Sequence, residues 1–451
     1  MQDKIKKALG SARADYAEIR LEERTAGTVH YTGKELEDIG TRTGAGGCVR
    51  ALVKGGWGFV SFNDPADLER YVKMACEQAA MVGRTESKLA DIPVVTDSAV
   101  NKVEEDPRQV GLEEKERLAA SYNKIILAAP NIQTSTVSFR DYHIRETLAN
   151  TEGGLISQET IYCVVALAAI ARDGMNVQRA FESVGDLRGF QIARGLDATC
   201  EEVARRAVDL LKAAPVQGGK YTVVCDTKLC GVFVHEAFGH LSESDFLYEN
   251  PDMLKLMTLG KRFAAEEVSI VDDPTLANEA GSYKYDSEGT RGSATYLIKD
   301  GVLAGHLHSR ETAARMGEAA TGNARAISYN YQPIVRMSNT YLEPRDKTFE
   351  ELIAGVDNGI YAVGALGGMT EMEMFTFSAG EAYAIRGGEL KEKLRDVVLT
   401  GNVKETLSNI DGIGNDLEFH AGGCGKGGQS PLRVSTGGPH IRIRNVVVGG
   451  R

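Results

Sequence analysis

Near the middle of the chain, two histidines and a glutamate occur within six residues, as His235, Glu236 and His240. Neutral imidazoles bind Zn²⁺ well, and a neighbouring carboxylate can take the proton from a water molecule that the metal holds. The same residue types, close together on a helix, are typical of metallopeptidases. The motif therefore predicts a zinc site with His235 and His240 as ligands and Glu236 as the general base. The alternative is that both histidines are packed core residues of an apolar helix.

The spacing of the two histidines is unusual for such a site. Positions four residues apart lie roughly 40° from each other around a helix, whereas His235 and His240 are five apart and lie roughly 140° from each other. An undistorted helix would point the two imidazoles in different directions. If both bind one ion, the helix must carry an extra residue in one turn or end near Phe238 and Gly239, and glycine tolerates such a bend.

A zinc site with an open position for water needs a third protein ligand. Cys424 is one candidate, because its thiol lies between pairs of glycines, on irregular backbone that suits a ligand or a reactive group better than core packing. The alternative is a turn cysteine without a role. His306 and His308 are further candidates, since side chains two residues apart point to the same face of a strand. We interpret these two histidines as surface residues or as residues that support the ligands.

The elements that must position the motif are predicted from the residues before it. The apolar stretch 221–225 is typical of a buried strand, and Asp226 is a suitable N-cap for a helix over residues 227–241. This strand and helix would carry both histidines. They follow residues 215–220, where proline and glycine indicate a boundary between domains.

The chain of 451 residues is too long for one hydrophobic core, so we expect two domains, residues 1–215 and 216–451. In the first domain, strands followed by a helix occur twice, over residues 16–82 and 134–213, which indicates an internal duplication. The polar segment 96–109 between them is interpreted as a linker or long surface loop. The predicted fold class is α+β, with antiparallel strands and helices in the N-terminal domain and a strand-rich, antiparallel C-terminal domain that carries the metal-site helix.

Composition excludes several classes of protein. Hydrophobic residues make up 42% of the chain and the net charge is −11 with no basic stripe, which argues against nucleic acid as a partner. The longest apolar run, residues 163–171, is too short to cross a membrane. The N-terminus lacks the apolar core of a signal peptide, and the seven cysteines indicate reduced thiols. We therefore expect a cytoplasmic protein without a membrane or nucleic-acid partner.

With these motifs the chain resembles the TldD/PmbA (TldE) family of zinc metallopeptidases, once described as modulators of DNA gyrase. The resemblance covers nearly the whole chain and is strongest after residue 234. It is carried by a set of short motifs, namely HEAFGH at 235–240, DSEGT at 286–290, TGNAR at 321–325, RMSNTY at 336–341, GEAY at 380–383, GNDL at 414–417 and CGKGGQ at 424–429.

The resemblance implies the TldD branch of the family, which keeps the histidine motif, whereas the PmbA branch lacks it. It implies Cys424 as the third zinc ligand, a homodimer or a heterodimer with a PmbA/TldE-type chain, and short or unstructured peptides as substrates. Two stretches depart from the family pattern. Residues 241–245 lack its glycines, although Glu243 and Asp245 remain in register, and residues 367–377 are shortened. The second stretch is predicted to form a wall of the peptide groove.

The predicted function is zinc-dependent hydrolysis of peptide bonds, with Glu236 passing a proton from water to the leaving amine. An extended substrate that binds as an added strand would explain tolerance for many side chains. Three alternatives stay open. They are a zinc-binding scaffold or regulatory subunit without turnover, a regulator that acts on gyrase by contact, and a cysteine hydrolase that uses Cys424 with His420 or His440.

Overall fold

The computed structural model describes residues 1–371 and 373–450. The helices of the N-terminal half are α1 (Gln2–Gly10), α2 (Leu68–Val82), α3 (Leu112–Ala128) and α4 (Asp197–Leu210). Its strands are β1 (Tyr16–Thr32), β2 (Glu35–Val53), β3 (Gly56–Phe62), β4 (Thr96–Val100), β5 (Ile132–Asn150), β6 (Leu155–Asp173) and β7 (Asn176–Asp186).

These strands form one sheet in the order β3-β2-β1-β5-β6-β4. The long strand β6 is paired with β5 on one side, and β4 and β7 share its other side. Helices α1 and α2 pack on one half of the sheet, and α3 and α4 on the other, each pair with its own apolar cluster. The predicted pattern of strands followed by a helix therefore occurs twice, whereas an internal duplication stays a prediction.

The segment 96–109 is more ordered than its polar composition predicted, and its interpretation as a plain linker or loop is wrong in part. β4 pairs in parallel with β6. The Tyr285 hydroxyl donates a hydrogen bond to Asp97 Oδ2 at 2.7 Å. Side chains of β4 alternate between exposed and half-buried. Because its stability comes from backbone pairing at a sheet edge, no apolar pattern marks this strand in the sequence.

The C-terminal half has short helices and many strands. The helices are α5 (Thr227–Val234), α6 (Ser244–Leu247), α7 (Pro251–Leu256), α8 (Arg310–Met316), α9 (Phe349–Ala354) and α10 (Val403–Ser408). The strands are β8 (Ala214–Pro215), β9 (Gly219–Cys225), β10 (Ile270–Asp272), β11 (Thr295–Lys299), β12 (Val302–Leu303), β13 (Ala324–Arg325), β14 (Ile334–Val335), β15 (Asn339–Leu342), β16 (Asn358–Glu371), β17 (Met374–Arg386), β18 (Glu389–Arg395), β19 (Val398–Asn402), β20 (Ile410–Ile413), β21 (Glu418–Lys426), β22 (Gln429–Gly438) and β23 (Ile441–Gly449).

Two larger sheets organise this half. One has the order β16-β9-β23-β19-β17-β18-β8, and pairing of β16 with β17 closes five of its strands into a ring. The other has the order β12-β11-β10-β15-β22-β21. The α+β class is confirmed. Most pairs are antiparallel as predicted, but β9–β16, β8–β18 and β15–β22 run parallel, because the chain between their partners crosses over through other elements.

Helix α5 lies between these sheets, and its residues from Leu229 to Val234 are apolar, as expected of a largely buried helix. Phe233 on α5 contacts Phe375 and Phe377 of β17, with ring centroids 5.3 and 5.8 Å apart. The metal-site helix is therefore anchored in the centre of the largest apolar cluster.

All seven cysteines are buried free thiols. None of the helices in the described part of the chain is long and apolar enough to cross a membrane.

Candidate metal centre

The strand and helix that carry the histidines form as predicted. β9 ends at Cys225, and the Asp226 carboxylate accepts a hydrogen bond from the backbone N–H of Leu229 at 2.8 Å. The other Asp226 oxygen accepts one from the backbone N–H of Gly364 at 2.9 Å. The N-cap therefore also ties the start of α5 to β16.

The predicted distortion between the two histidines is confirmed. The regular α-helix ends at Val234, residues 235–239 form a π-helical turn, and residues 240–242 tighten into a 3₁₀ turn. The wider turn adds the extra residue that a five-residue spacing needs. Gly239 itself has an ordinary helical φ, and a Cβ there would clash with the sulfur of Met337. This glycine is needed for close packing and not for an unusual backbone conformation.

Three candidate ligands meet at this turn. The ligand atoms of His235, His240 and Cys424 all lie within 4.8 Å of one another. The Cys424 sulfur lies 3.4 Å from His240 Nε2, and the two imidazole rings are nearly perpendicular, at 83°. Cys424 lies on β21, 189 residues further along the chain than His235. Two imidazoles and a thiolate are a donor set that suits zinc.

Charge in the site favours a thiolate. Burial alone would raise the pKa of Cys424, but hydrogen bonds from His235 and His240 and their charge lower that pKa to about 5. Burial also opposes a charge on His240, yet Glu243 and Cys424 raise the pKa of this imidazole to about 10. The proton on His240 therefore offsets the charge of the Cys424 thiolate, and a metal cation can replace this proton when it binds.

Glu243 orients one of the ligands. Its Oε2 lies 2.8 Å from His240 Nδ1, and because a carboxylate only accepts, Nδ1 carries a hydrogen and Nε2 is the nitrogen at which a metal would replace the second proton. Lys426 lies 3.0 Å from the same Glu243 oxygen and 2.7 Å from Asp245. Burial would raise the pKa of Glu243, but Lys426 and His240 hold it below its usual value. Sequence reasoning noted Glu243 and Asp245 without a role and missed Lys426, whose only signal is its place two residues after Cys424.

Replacing Glu243 with glutamine is expected to weaken metal binding. The amide no longer fixes His240 through a charged acceptor, and such supporting partners contribute about 10–100-fold to metal affinity. Competition with a chelating dye measures the affinity. Asp245→Asn is the matched control, because Asp245 shares Lys426 but does not contact His240. Equal affinities for wild type and Glu243→Gln would contradict the orienting role.

Glu236 faces open space beside the ligands. Its Oε2 lies 3.7 Å from His240 Nε2, and its side chain is 26% exposed. It lines a cleft of about 650 Å³ whose walls come from the edge strand β7 and from β16 and β17. Gly367 and Gly368, in the stretch predicted to form a groove wall, line the same cleft, and Met372 in that stretch lies outside the described residues.

The structure does not bring His306 and His308 to this centre, and their interpretation as surface residues is wrong. Both are buried, with 3% and 1% exposure, and both contact Glu318. His306, His308 and Glu318 form a separate group, here called the 306–318 cluster. Glu318 was missed because it lies in a loop, ten and twelve residues after the histidines, with no spacing that indicates a shared site.

The two histidines proposed for a cysteine hydrolase have other partners. His440 Nδ1 donates to Asp416 at 2.6 Å, and the Tyr361 hydroxyl lies 2.9 Å from its Nε2. His420 Nε2 lies 3.2 Å from the hydroxyl of Thr227. Cys424 is instead beside the motif histidines, so this geometry disfavours the hydrolase alternative.

Comparison with known proteins places the chain among metallopeptidases. Family models describing domain 1, the central domain and the C-terminal domain of the PmbA/TldA metallopeptidases match residues 17–79, 105–214 and 218–450. A metalloprotease from Synechocystis is 45% identical over 97% of this chain and 96% of its own length. A zinc metalloprotease TldD homologue from Saccharolobus solfataricus is 29% identical over 97% of both chains. The crystal structure of TldE from Thermococcus kodakarensis has the same fold, with a TM-score of 0.77 and 19% identity over 100% of both chains.

Proposed function

Because this chain belongs to the PmbA/TldD family of metallopeptidases, we propose that it hydrolyses peptide bonds in short or unstructured peptides with a zinc ion held by His235, His240 and Cys424. The observation that carries the proposal is the meeting of these three side chains beside Glu236, on the wall of an open cleft.

The residues present fit a zinc ion. Two imidazoles and a thiolate leave a fourth position open for water or substrate. His235 Nδ1 is buried and lacks a hydrogen-bond partner among the described residues. A site built for packing alone would satisfy this atom, because an unpaired buried polar group costs about 1–3 kcal/mol.

Glu236 moves the proton. Zinc, when bound, polarises the peptide carbonyl and makes water more acidic. Glu236 accepts the proton of the attacking water at a carboxylate oxygen and then donates it to the leaving amine. Its partial exposure at the cleft leaves room for substrate beside that oxygen. A purely structural site would have no use for a carboxylate at this position, which argues against a scaffold.

The cleft suits an extended peptide. Among the described strands, β7 pairs only with β6, so its other edge offers backbone hydrogen bonds to a further strand. Val177 and Phe181 of β7 line the same cleft as Glu236. A substrate bound there would be recognised mainly through its backbone, and a folded protein could not present a free extended strand to this edge. We place the activity in the cytoplasm, which is consistent with seven free thiols.

The test is peptide cleavage by the purified, zinc-loaded chain, with light scattering on the same samples. We expect hydrolysis of unstructured peptides, no cleavage of stably folded proteins, loss of activity with a chelator and recovery with zinc. We expect a dimer at micromolar concentration, either of this chain or with a PmbA/TldE-type chain. No cleavage by the zinc-loaded chain, with and without such a partner, would favour the scaffold alternative, and a monomer under both conditions would contradict the dimer.

A further inference from the structure

The 306–318 cluster lies away from the proposed catalytic zinc and has no part in the mechanism above. Its two imidazoles come from the segment between β12 and α8, and its carboxylate follows α8. Glu318 Oε1 lies 3.0 Å from His306 Nδ1, and Glu318 Oε2 lies 3.1 Å from His308 Nε2. All three ligand atoms lie within 4.8 Å of one another, as in the first site.

One hydrogen bond determines the proton position on His306. Its Nε2 lies 2.8 Å from the backbone carbonyl oxygen of Met257, which can only accept, so Nε2 carries a hydrogen. In the neutral ring, Nδ1 then presents a lone pair. That lone pair faces both carboxylate oxygens of Glu318, at 3.0 and 3.1 Å. Two electron-rich groups at this distance repel each other, so either a second proton on the ring or a metal cation must lie between them.

The Glu318 carboxylate converges on both imidazoles, because its Oε2 lies 3.1 Å from His306 Nδ1 and 3.1 Å from His308 Nε2. A half-buried carboxylate that meets two almost fully buried imidazoles is a combination that side-chain packing alone does not favour.

We propose that His306, His308 and Glu318 bind a second divalent transition-metal ion, of the zinc class. Ligand atoms around a tetrahedral zinc at about 2.0 Å lie about 3.3 Å apart, close to the spacing of these oxygen and nitrogen atoms. Two imidazoles and one carboxylate suit zinc and its neighbours better than calcium or magnesium, which prefer oxygen ligands. His306 and Glu318 line a cavity of about 770 Å³, which gives an ion a path from solvent and room for water ligands.

The bound ion would stabilise the segment that holds Glu243. Leu307 lies between the two histidines. Its backbone N–H donates to the carbonyl oxygen of Ser242 at 2.8 Å, and its carbonyl oxygen accepts from the backbone N–H of Ser244 at 3.1 Å, so the two hydrogen bonds flank Glu243. The Ser244 hydroxyl donates to Thr312 Oγ1 at 2.7 Å, and the same oxygen lies 3.1 Å from His308 Nδ1. The second ion is therefore structural, and its presence does not depend on the proposed peptidase mechanism.

Titration of the chelator-treated chain with Co²⁺ tests the proposal. Cobalt at Cys424 gives a near-ultraviolet thiolate charge-transfer band, whereas cobalt on nitrogen and oxygen ligands does not. We expect two ions per chain, one with the band and one without it. Glu318→Gln is expected to weaken the band-free ion at least tenfold and to leave the band unchanged. Glu311→Gln is the matched control, since its carboxylate is also 22% exposed and it lies on α8, the helix that Glu318 follows.

The two sites can fail separately. Cys424→Ala is expected to remove the band and keep the band-free ion, which supports the second site even if the first assignment is wrong. Circular dichroism checks that each variant is folded, and His306→Gln replaces Glu318→Gln if that variant is not. The proposal is overturned if the wild-type chain binds no band-free ion, or if that ion binds with unchanged affinity in both variants.

Discussion

Glu236→Gln is expected to retain zinc and the fold but to lose peptide hydrolysis by about 10²–10⁴-fold, the usual contribution of a positioned general base. Glutamine has nearly the same shape as glutamate, and Glu236 is partly exposed at the cleft, so packing around the ligands should survive. The amide cannot accept a proton from water. The metal and the peptide groove would remain, so residual activity above the uncatalysed rate is expected.

The measurement compares kcat and KM on one unstructured peptide with metal content determined on the same preparation. Loss in kcat with little change in KM would identify a role in the chemical step. Asp396→Asn is the matched control, because Asp396 lines the same cleft without contacting the ligands and should leave kcat nearly unchanged. Full activity in zinc-loaded Glu236→Gln would contradict the assignment.

The local part of the site was predictable because it depends on neighbouring residues. Asp226 as an N-cap follows from its residue type at the start of the helix, and the bend between His235 and His240 follows from their five-residue spacing. The bend was predicted by assuming that both imidazoles bind one ion. Its physical basis also includes Met337, whose sulfur occupies the space beside Gly239, and nothing in the spacing of the motif indicates that contact.

The non-local part was not predictable from the residues alone. Cys424 was one candidate among three until family resemblance selected it, because β21 reaches the helix only through the order of strands in its sheet. His306 and His308 show the opposite case. Their spacing suggested a shared face, but their burial and their contact with Glu318 depend on how the loop after α8 folds back. The parallel pairing of β9 with β16 likewise joins segments more than a hundred residues apart.

Cys424→Ala is expected to reduce zinc affinity at the His235–His240 centre by at least about 100-fold, more than the loss of a supporting residue, because one of three ligands is removed. The remaining pair of imidazoles cannot fill a tetrahedral site, and the thiolate charge that offsets the metal is absent. Peptide hydrolysis should fall in proportion to the zinc that is lost, and excess zinc should restore only part of it.

Metal content after dialysis, together with affinity from chelator competition, measures the effect, and the second proposed ion must be counted separately from this one. Cys76→Ala is the matched control, because Cys76 is also a buried free thiol but lies on α2, in another apolar cluster. Both variants lose a sulfur atom from a packed interior, so any difference in zinc between them reports ligation and not packing. Full zinc occupancy with unchanged affinity in Cys424→Ala would remove this cysteine from the site and leave its low pKa as a consequence of the two histidines alone.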